Sequence, residues 1–217
     1  MLLADFAVIN SDAKVVDLGC GNGILPLLLA ARDKGKEYFG FEIQAAAAEL
    51  AGRNAALNNL EESIRIYEED LKKAPQILGR GAAEAVISNP PYYKLGSGVL
   101  NPESARAIAR HEILCTLPEV LQTAAALLKP NGSLFLVHRS SRMTELMREG
   151  EACGLFPKRI RMVHSNARSD AKLLLCEMKR EKQTELRIMP PCILYEAEGK
   201  FTKEVHAIYY GKAEEAE

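Results

Sequence analysis

The sequence predicts an α/β fold: a doubly wound, seven-stranded, mostly parallel sheet with an antiparallel terminal hairpin. Three observations predict it. Short apolar or β-branched runs alternate with longer helical stretches, the pattern of stacked βαβ units. A glycine-rich run, Asp17-Leu18-Gly19-Cys20-Gly21-Asn22-Gly23, follows the first strand-like run, where a tight strand-to-helix turn is required. The last two strand-like runs are joined by only a short polar turn, too short for a parallel crossover, so they pair antiparallel.

The first strand is Lys14 to Leu18, β-branched at Val15 and Val16 and ended by the glycine run. Leu25 to Ala30 begins a helix, and Pro26 is tolerated there only in the first turn, where its missing N–H has no partner to lose. Tyr38 to Ile43 is the second strand, and the alanine-rich stretch Gln44 to Asn58 is strongly helical. Ile64 to Tyr67, Ala85 to Ser88 and Ser133 to His138 make the third, fourth and fifth strands. Pro118 to Lys129 is a helix stopped by the breaker cluster Pro130-Asn131-Gly132. After a helix near Met143 to Cys153, Arg159 to His164 and Lys172 to Met178 form the closing hairpin around the turn Ser165 to Asp170. The expected organisation is a single domain over residues 1–212 with a disordered tail, 213–217.

With 217 residues, 47% hydrophobic and 26% charged, the chain has room for one α/β domain, and no apolar stretch reaches the ~18 residues needed to span a bilayer. The first residues show no basic region followed by an apolar one, so a cytoplasmic location is expected. Cys20, Cys115, Cys153, Cys176 and Cys192 are widely spaced with no Cys-x-x-Cys pair, which predicts reduced thiols and no metal. A formal charge of -1 excludes a simple polycation. Charge is uneven, however: from His138 to Lys182, 11 Lys and Arg stand against 6 Asp and Glu. That stretch predicts either a basic patch or an ordinary solvated face.

The glycine run suggests a nucleotide-like cofactor, because glycine lets backbone approach a ligand closely at Gly19, Gly21 and Gly23. Asp17 ends the first strand, where it can accept a hydrogen bond from the cofactor or orient the loop. Glu42 ends the second, where an acid takes ribose hydroxyls as donors; its alternative is a solvated strand end. Asp70 can accept from an adenine amino group while the Leu71 N–H donates to the ring, or it can cap a helix. NAD enzymes use a similar loop, but a pyrophosphate calls for a nearby cation and Asp17 to Gly23 carries none. S-Adenosylmethionine, which has no phosphate, needs none.

About seventy residues on, Asn89-Pro90-Pro91-Tyr92 follows the fourth strand. An exocyclic amino nitrogen is a poor nucleophile because its lone pair is delocalised. The Asn89 side-chain carbonyl and the Pro90 backbone carbonyl can each accept one amino hydrogen, which favours a pyramidal nitrogen aimed at a methyl donor. Pro91 stiffens the turn and Tyr92 offers a ring for stacking. The tetrapeptide alone does not choose between a base and an amide, and an ordinary proline turn is the plain alternative. The glycine-rich segment Tyr93 to Gly98 reads as a gating loop or a connector. Arg106, Arg110 and His111 form a basic group, and Arg139, Arg142, Arg159, Arg161 and Arg168 can track a nucleic-acid backbone. His138 and His164 close strands and are read as structural.

Val15 to Gly23, Asn89 to Tyr92, Ile108-Ala109-Arg110-His111-Glu112 and Pro190-Pro191-Cys192-Ile193-Leu194-Tyr195 together resemble the bacterial family of tRNA adenine-N6 methyltransferases, over nearly the whole chain. The resemblance implies a class I S-adenosylmethionine-dependent methyltransferase, Rossmann-like in fold. It implies transfer to the N6 of an adenine in structured RNA, most closely a tRNA near the anticodon, by a monomer or weak dimer without metal or membrane. Asp17, Gly19, Gly21, Glu42 and Asp70 would bind the cofactor, and Asn89, Pro90 and Tyr92 would hold the adenine. Members of the family carry a longer segment ahead of the first strand than Met1 to Ala13, so part of an N-terminal cap is expected to be missing. A protein glutamine-amide N5 methyltransferase and a non-catalytic RNA-binding module are the alternative functions.

Overall fold

The computed structural model describes residues 1–90, 115–180 and 185–211. After a short helix, α1 (Leu2–Phe6), the chain runs β1 (Lys14–Leu18), α2 (Ile24–Ala30), β2 (Glu37–Glu42), α3 (Ala45–Leu57), β3 (Ile64–Glu68), α4 (Ala74–Leu78) and β4 (Ala83–Ser88). Then come α5 (Leu117–Leu127), β5 (Leu128–Arg139), α6 (Met143–Ala152), β6 (Phe156–His164) and β7 (Ala171–Lys179). The short strands β8 (Arg187–Ile188), β9 (Cys192–Ile193), β10 (Tyr195–Ala197) and β11 (Lys200–Phe201) lead to a last helix, α7 (Lys203–Tyr210). The main sheet has the order β3-β2-β1-β4-β5-β7-β6-β8, with β9 also on β6. Its first five strands are parallel and β7 runs antiparallel between β5 and β6, as the short turn requires.

Both faces of the sheet are buried, and successive residues of a strand belong to different layers. Val16, Leu18, Phe41, Val86, Leu134 and Leu136 join the core under α5 and α6. Val15, Tyr38, Ala85, Ile87, Phe135 and Val137 join the core that includes Leu3, Leu29 and Val205 of α1, α2 and α7. The same alternation sets Asp17, Gly40 and Glu42 on the second face, which matters for the site. Pro26 does lie in the first turn of α2, and α5 starts with a capping box in which the Glu119 carboxylate accepts from the Thr116 N–H at 2.7 Å.

Two expectations need correction. Seven strands are present as predicted, but the main sheet has nine, because β8 and β9 each add two residues parallel to β6. Such pieces are too short to show periodicity, and Pro190 and Pro191 between them prevent a longer strand. The helix before Pro130 ends at Leu127, and the breaker cluster becomes part of β5 instead of a loop. Its irregularity persists in the ladder: Ala83 pairs with Leu128 but Ala85 with Ser133. The predicted tail, 213–217, lies outside the described residues. Among the described residues no helix is long and apolar enough to cross a membrane.

Candidate active site

The carboxyl ends of β1, β2 and β4 lie side by side, and a cleft of about 610 Å³ opens above them. Gly19, Gly21, Glu42, Asp70, Leu71, Asn89 and Pro90 all line it, so residues spread over about seventy positions converge. Asp17, 1% exposed, and the buried Gly23 are not among the lining residues.

The loop is fixed by the backbone of β2. The N–H groups of Gly19 and Cys20 both donate to the Phe41 carbonyl, at 2.9 and 3.0 Å. Gly19 and Gly21 have φ of +75° and +55°, and a Cβ at either would meet no protein atom within 4 Å. The backbone needs glycine there, and the bare surface is left to a ligand. Gly23 serves packing instead: a Cβ on it would come within 3.1 Å of the Ala51 Cβ on α3.

Glu42 is 7% exposed and is not a solvated strand end. Its Oε2 accepts from the Gly21 N–H at 3.0 Å and its Oε1 from the Gln44 N–H at 2.9 Å. It therefore braces the loop, while each oxygen keeps a second lone pair for a ligand hydroxyl. Asp70 lines the cleft and also caps a 3-10 turn (Leu71–Lys73), its Oδ1 accepting from the Lys72 N–H at 2.9 Å. The Lys72 ammonium lies 3.3 Å from Asp70 and 3.1 Å from Glu119, tying the turn to α5. Asp70 thus caps the turn, the second of its two readings, while it also lines the cleft.

Asn89 and Pro90 leave β4 at the cleft because the strand end is tied to its neighbour. The buried Ser88 hydroxyl donates to the Leu18 carbonyl at 2.8 Å. Pro91, Tyr92, the 93–98 segment, Arg106, Arg110 and His111 lie outside the described residues. The sequence reading missed the apolar walls: Ile24 and Ile43 line the cleft while 49% and 41% exposed. An isoleucine directly after the strand-ending Glu42 was the available signal, since an exposed apolar side chain beside an acid suits a ring stacked over a ribose site.

The buried acid is unusual. Burial first, and the Glu42 charge second, push the Asp17 carboxyl up to about 8, and neither of its oxygens has a hydrogen-bond partner among the described residues. Burial likewise raises the Cys20 thiol well above its ordinary value. That thiol occupies the space a side chain on Gly40 would need: a Cβ there would lie 2.7 Å from Cys20 Sγ and 2.8 Å from Ile66 Cδ1. Burial, then Arg142, pushes His138 down to about 4, so it is neutral. His164 Nδ1 sits 2.7 Å from the Ser169 carbonyl and closes the β6–β7 turn. Among the described residues no group of three His, Cys, Asp or Glu is arranged to hold a metal.

The basic stretch divides. Arg139 ends β5 and the exposed Arg168 lies in the β6–β7 turn, both at the end of the sheet where Asn89 emerges. Arg161 is only 14% exposed and donates to Glu204 at 2.6 Å and to the Pro190 carbonyl at 3.1 Å, which holds α7 and the 190–191 segment onto β6. Arg159 is paired with the buried Glu177, and Arg142 with Glu145 at 2.9 Å.

Residues 1–150 match the family model described as methyltransferase small domain. A tRNA1(Val) (adenine(37)-N6)-methyltransferase of Porphyromonas gingivalis is 31% identical over 166 residues, covering 76% of this chain and 64% of that protein. One of Dickeya chrysanthemi is 35% identical, covering 63% and 53%, and one of Dyadobacter fermentans is 25% identical, covering 91% and 81%. The chain thus spans less than two thirds of the length of the first two. Among solved structures, a predicted O-methyltransferase from Agrobacterium tumefaciens superposes with a TM-score of 0.75 at 23% identity, covering 98% of this chain and 95% of that one. A geranyl diphosphate C-methyltransferase from Streptomyces coelicolor, in complex with S-adenosyl-L-homocysteine, gives 0.60 at 17%, covering 83% and 77%. The fold is that of the class I S-adenosylmethionine-dependent methyltransferases, Rossmann-like with an antiparallel seventh strand. With more than half of its length matched by one family model, on a fold and a glycine-loop cleft that agree with it, the chain belongs to the methyltransferase small domain family.

Proposed function

We propose that this chain transfers a methyl group from S-adenosylmethionine to the exocyclic N6 of an adenine in structured RNA, a tRNA near the anticodon. The observation that carries the proposal is the convergence of Asn89 and Pro90 with Gly19, Gly21 and Glu42 around one cleft. The names of the relatives, adenine-N6 methyltransferases of tRNA1(Val), support the choice of base and RNA. The reading carries with it one methyltransferase domain over residues 1–212, acting in the cytoplasm as a monomer or weak dimer.

The cleft fits the cofactor. Its volume of about 610 Å³ suits a nucleoside with an amino-acid tail, the bare faces of Gly19 and Gly21 admit close contact, and the Asp17 carboxyl buried near it, unpartnered among the described residues, suits a cationic ligand. When bound, S-adenosylmethionine supplies an electrophilic methyl group on a sulfonium centre. Glu42 would accept ribose hydroxyls with the lone pairs left over from Gly21 and Gln44, Ile43 and Ile24 would offer apolar surface to the adenine, and Asp70 with Leu71 would read its edge. For the substrate, the Asn89 and Pro90 carbonyls each accept one N6 hydrogen and so aim the nitrogen lone pair. Positioning and electrostatics do most of the work, and the proton leaves N6 late, to solvent. An adenine in RNA must be splayed out of its stack to enter, with Pro91 and Tyr92 receiving it and Arg139 and Arg168 contacting the flanking backbone.

Incubation with methyl-labelled cofactor and separate pools of tRNA, rRNA, DNA and protein tests the reading. Label in N6-methyladenine of tRNA is expected. Label confined to glutamine amides of a protein would replace the substrate, and binding of RNA without any transfer would leave only a binding module.

A further inference from the structure

Glu42 lines the cleft and Asp17 lies buried near it, and the protein treats the two carboxyls differently. Glu42 has a backbone N–H on each oxygen, whereas Asp17, on the same face of the sheet and 1% exposed, has a partner on neither among the described residues. In the ladder Asp17 is flanked by Gly40 of β2 and Ile87 of β4. Among the described residues, the titratable groups acting on it or acted on by it are Glu42 at the end of β2 and the Cys20 thiol in the loop; β4 faces it with Ile87, and no cation is among them. Burial first and the charge of Glu42 second disfavour the ionised form of Asp17. Asp17, buried and with no donor on either oxygen among the described residues, keeps its proton.

A carboxyl that is buried, unpartnered and neutral is costly to the fold. It becomes useful if a positive ligand arrives near it. On the reading given under Proposed function, that ligand carries a sulfonium and an ammonium. We infer that Asp17 is a counter-charge held in reserve: a neutral acid in the free protein, it gives its proton to solvent when the cationic methyl donor fills the cleft, so that donor uptake is coupled to proton release. The carboxylate so formed favours the donor over the demethylated product, whose sulfur is neutral. Asp17 is thus a positioning and specificity residue that distinguishes fresh from spent cofactor by charge.

Calorimetric titration of the full chain with S-adenosylmethionine, at pH 7 in Pipes and in Tris, measures the proton directly, because the two buffers differ widely in ionisation enthalpy. Release approaching one proton is expected with the donor and less with S-adenosylhomocysteine. D17N, confirmed folded by its thermal melt, is expected to bind with that release lost and with a smaller preference for donor over product; any proton still released belongs to the ligand amino group. Should D17N not fold, the wild-type donor affinity is expected to rise by up to tenfold per pH unit as pH rises towards 8, more steeply than the product affinity. Donor heats that are equal in both buffers overturn the inference and leave the methyl-donor reading standing. A folded protein that binds neither ligand overturns both.

Discussion

Glu42→Gln is nearly isosteric, yet the structure predicts a large effect. The carboxylate accepts from the Gly21 N–H at 3.0 Å and from the Gln44 N–H at 2.9 Å, one bond to each oxygen. A glutamine amide has a single acceptor oxygen, so one of those backbone donors would face an NH2 group instead. A hydrogen bond to a charged acceptor contributes about 1.5–3 kcal/mol, and with Glu42 only 7% exposed solvent does little to replace it. We expect E42Q to lose about 2 kcal/mol in urea unfolding without a change in the m-value, and Glu42→Ala, which frees both donors, to lose about twice that. Because the Gly21 N–H is one of the two, the loop loosens, and S-adenosylmethionine affinity should fall by about tenfold or more in calorimetry. Stability within about 0.5 kcal/mol of wild type together with unchanged affinity would refute the bracing role.

Gly40→Ala drives a Cβ to 2.7 Å from Cys20 Sγ and 2.8 Å from Ile66 Cδ1, so it should cost about 1–3 kcal/mol, with partial recovery in the double variant with Cys20→Ala; simple additivity in the double-mutant cycle would show that the thiol is not the obstacle. Asn89→Ala should remove most methyl transfer while cofactor binding stays close to wild type, and an unchanged turnover rate would eliminate its acceptor role. Asp17 has a folded pKa raised to about 8 above its unfolded value of 3.8, so its stabilising protonation is fully present below the unfolded value and is lost as pH rises towards 8. Wild-type stability should therefore fall by roughly 1 kcal/mol per pH unit across that window relative to D17N, and parallel pH profiles would contradict a neutral Asp17. Arg168→Glu should weaken RNA binding and flatten its salt dependence, whereas Arg161→Ala should chiefly lower stability by releasing α7; the reverse pattern would exchange their roles.

The central strands β1, β2 and β4 were legible because each is a short β-branched or apolar run buried on two faces, and β1 was read to the residue. So was the cleft: glycines at a strand end, an acid ending the next strand and the polar-proline segment after the fourth are local features whose spacing the fold converts into proximity. Less legible was what each acid does. The sequence offers Asp17 and Glu42 as similar strand-end carboxylates, and only the register sets both on one face, one with two amide donors and one with none. Arg161 illustrates the same limit, since a cation in a basic stretch looks available until Glu204, 43 residues further on, is found across from it. Ile24 and Ile43 escaped notice because an apolar residue at a strand or helix end is read as core unless its exposure is known.

The row of two-residue strands beside β6 has a consequence for how the molecule behaves in a crowded solution. An exposed strand edge is a template on which a second chain can add its own backbone. Here the side of the sheet beyond β6 presents β8 and β9, each two residues long, with Pro190 and Pro191 between them carrying no N–H to offer. At the other side, β3 shows the exposed charges Arg65 and Glu68. Among the described residues neither border offers a long apolar rung, and the same two prolines that shorten the closing segment blunt the edge beyond β6 as a template for a second chain.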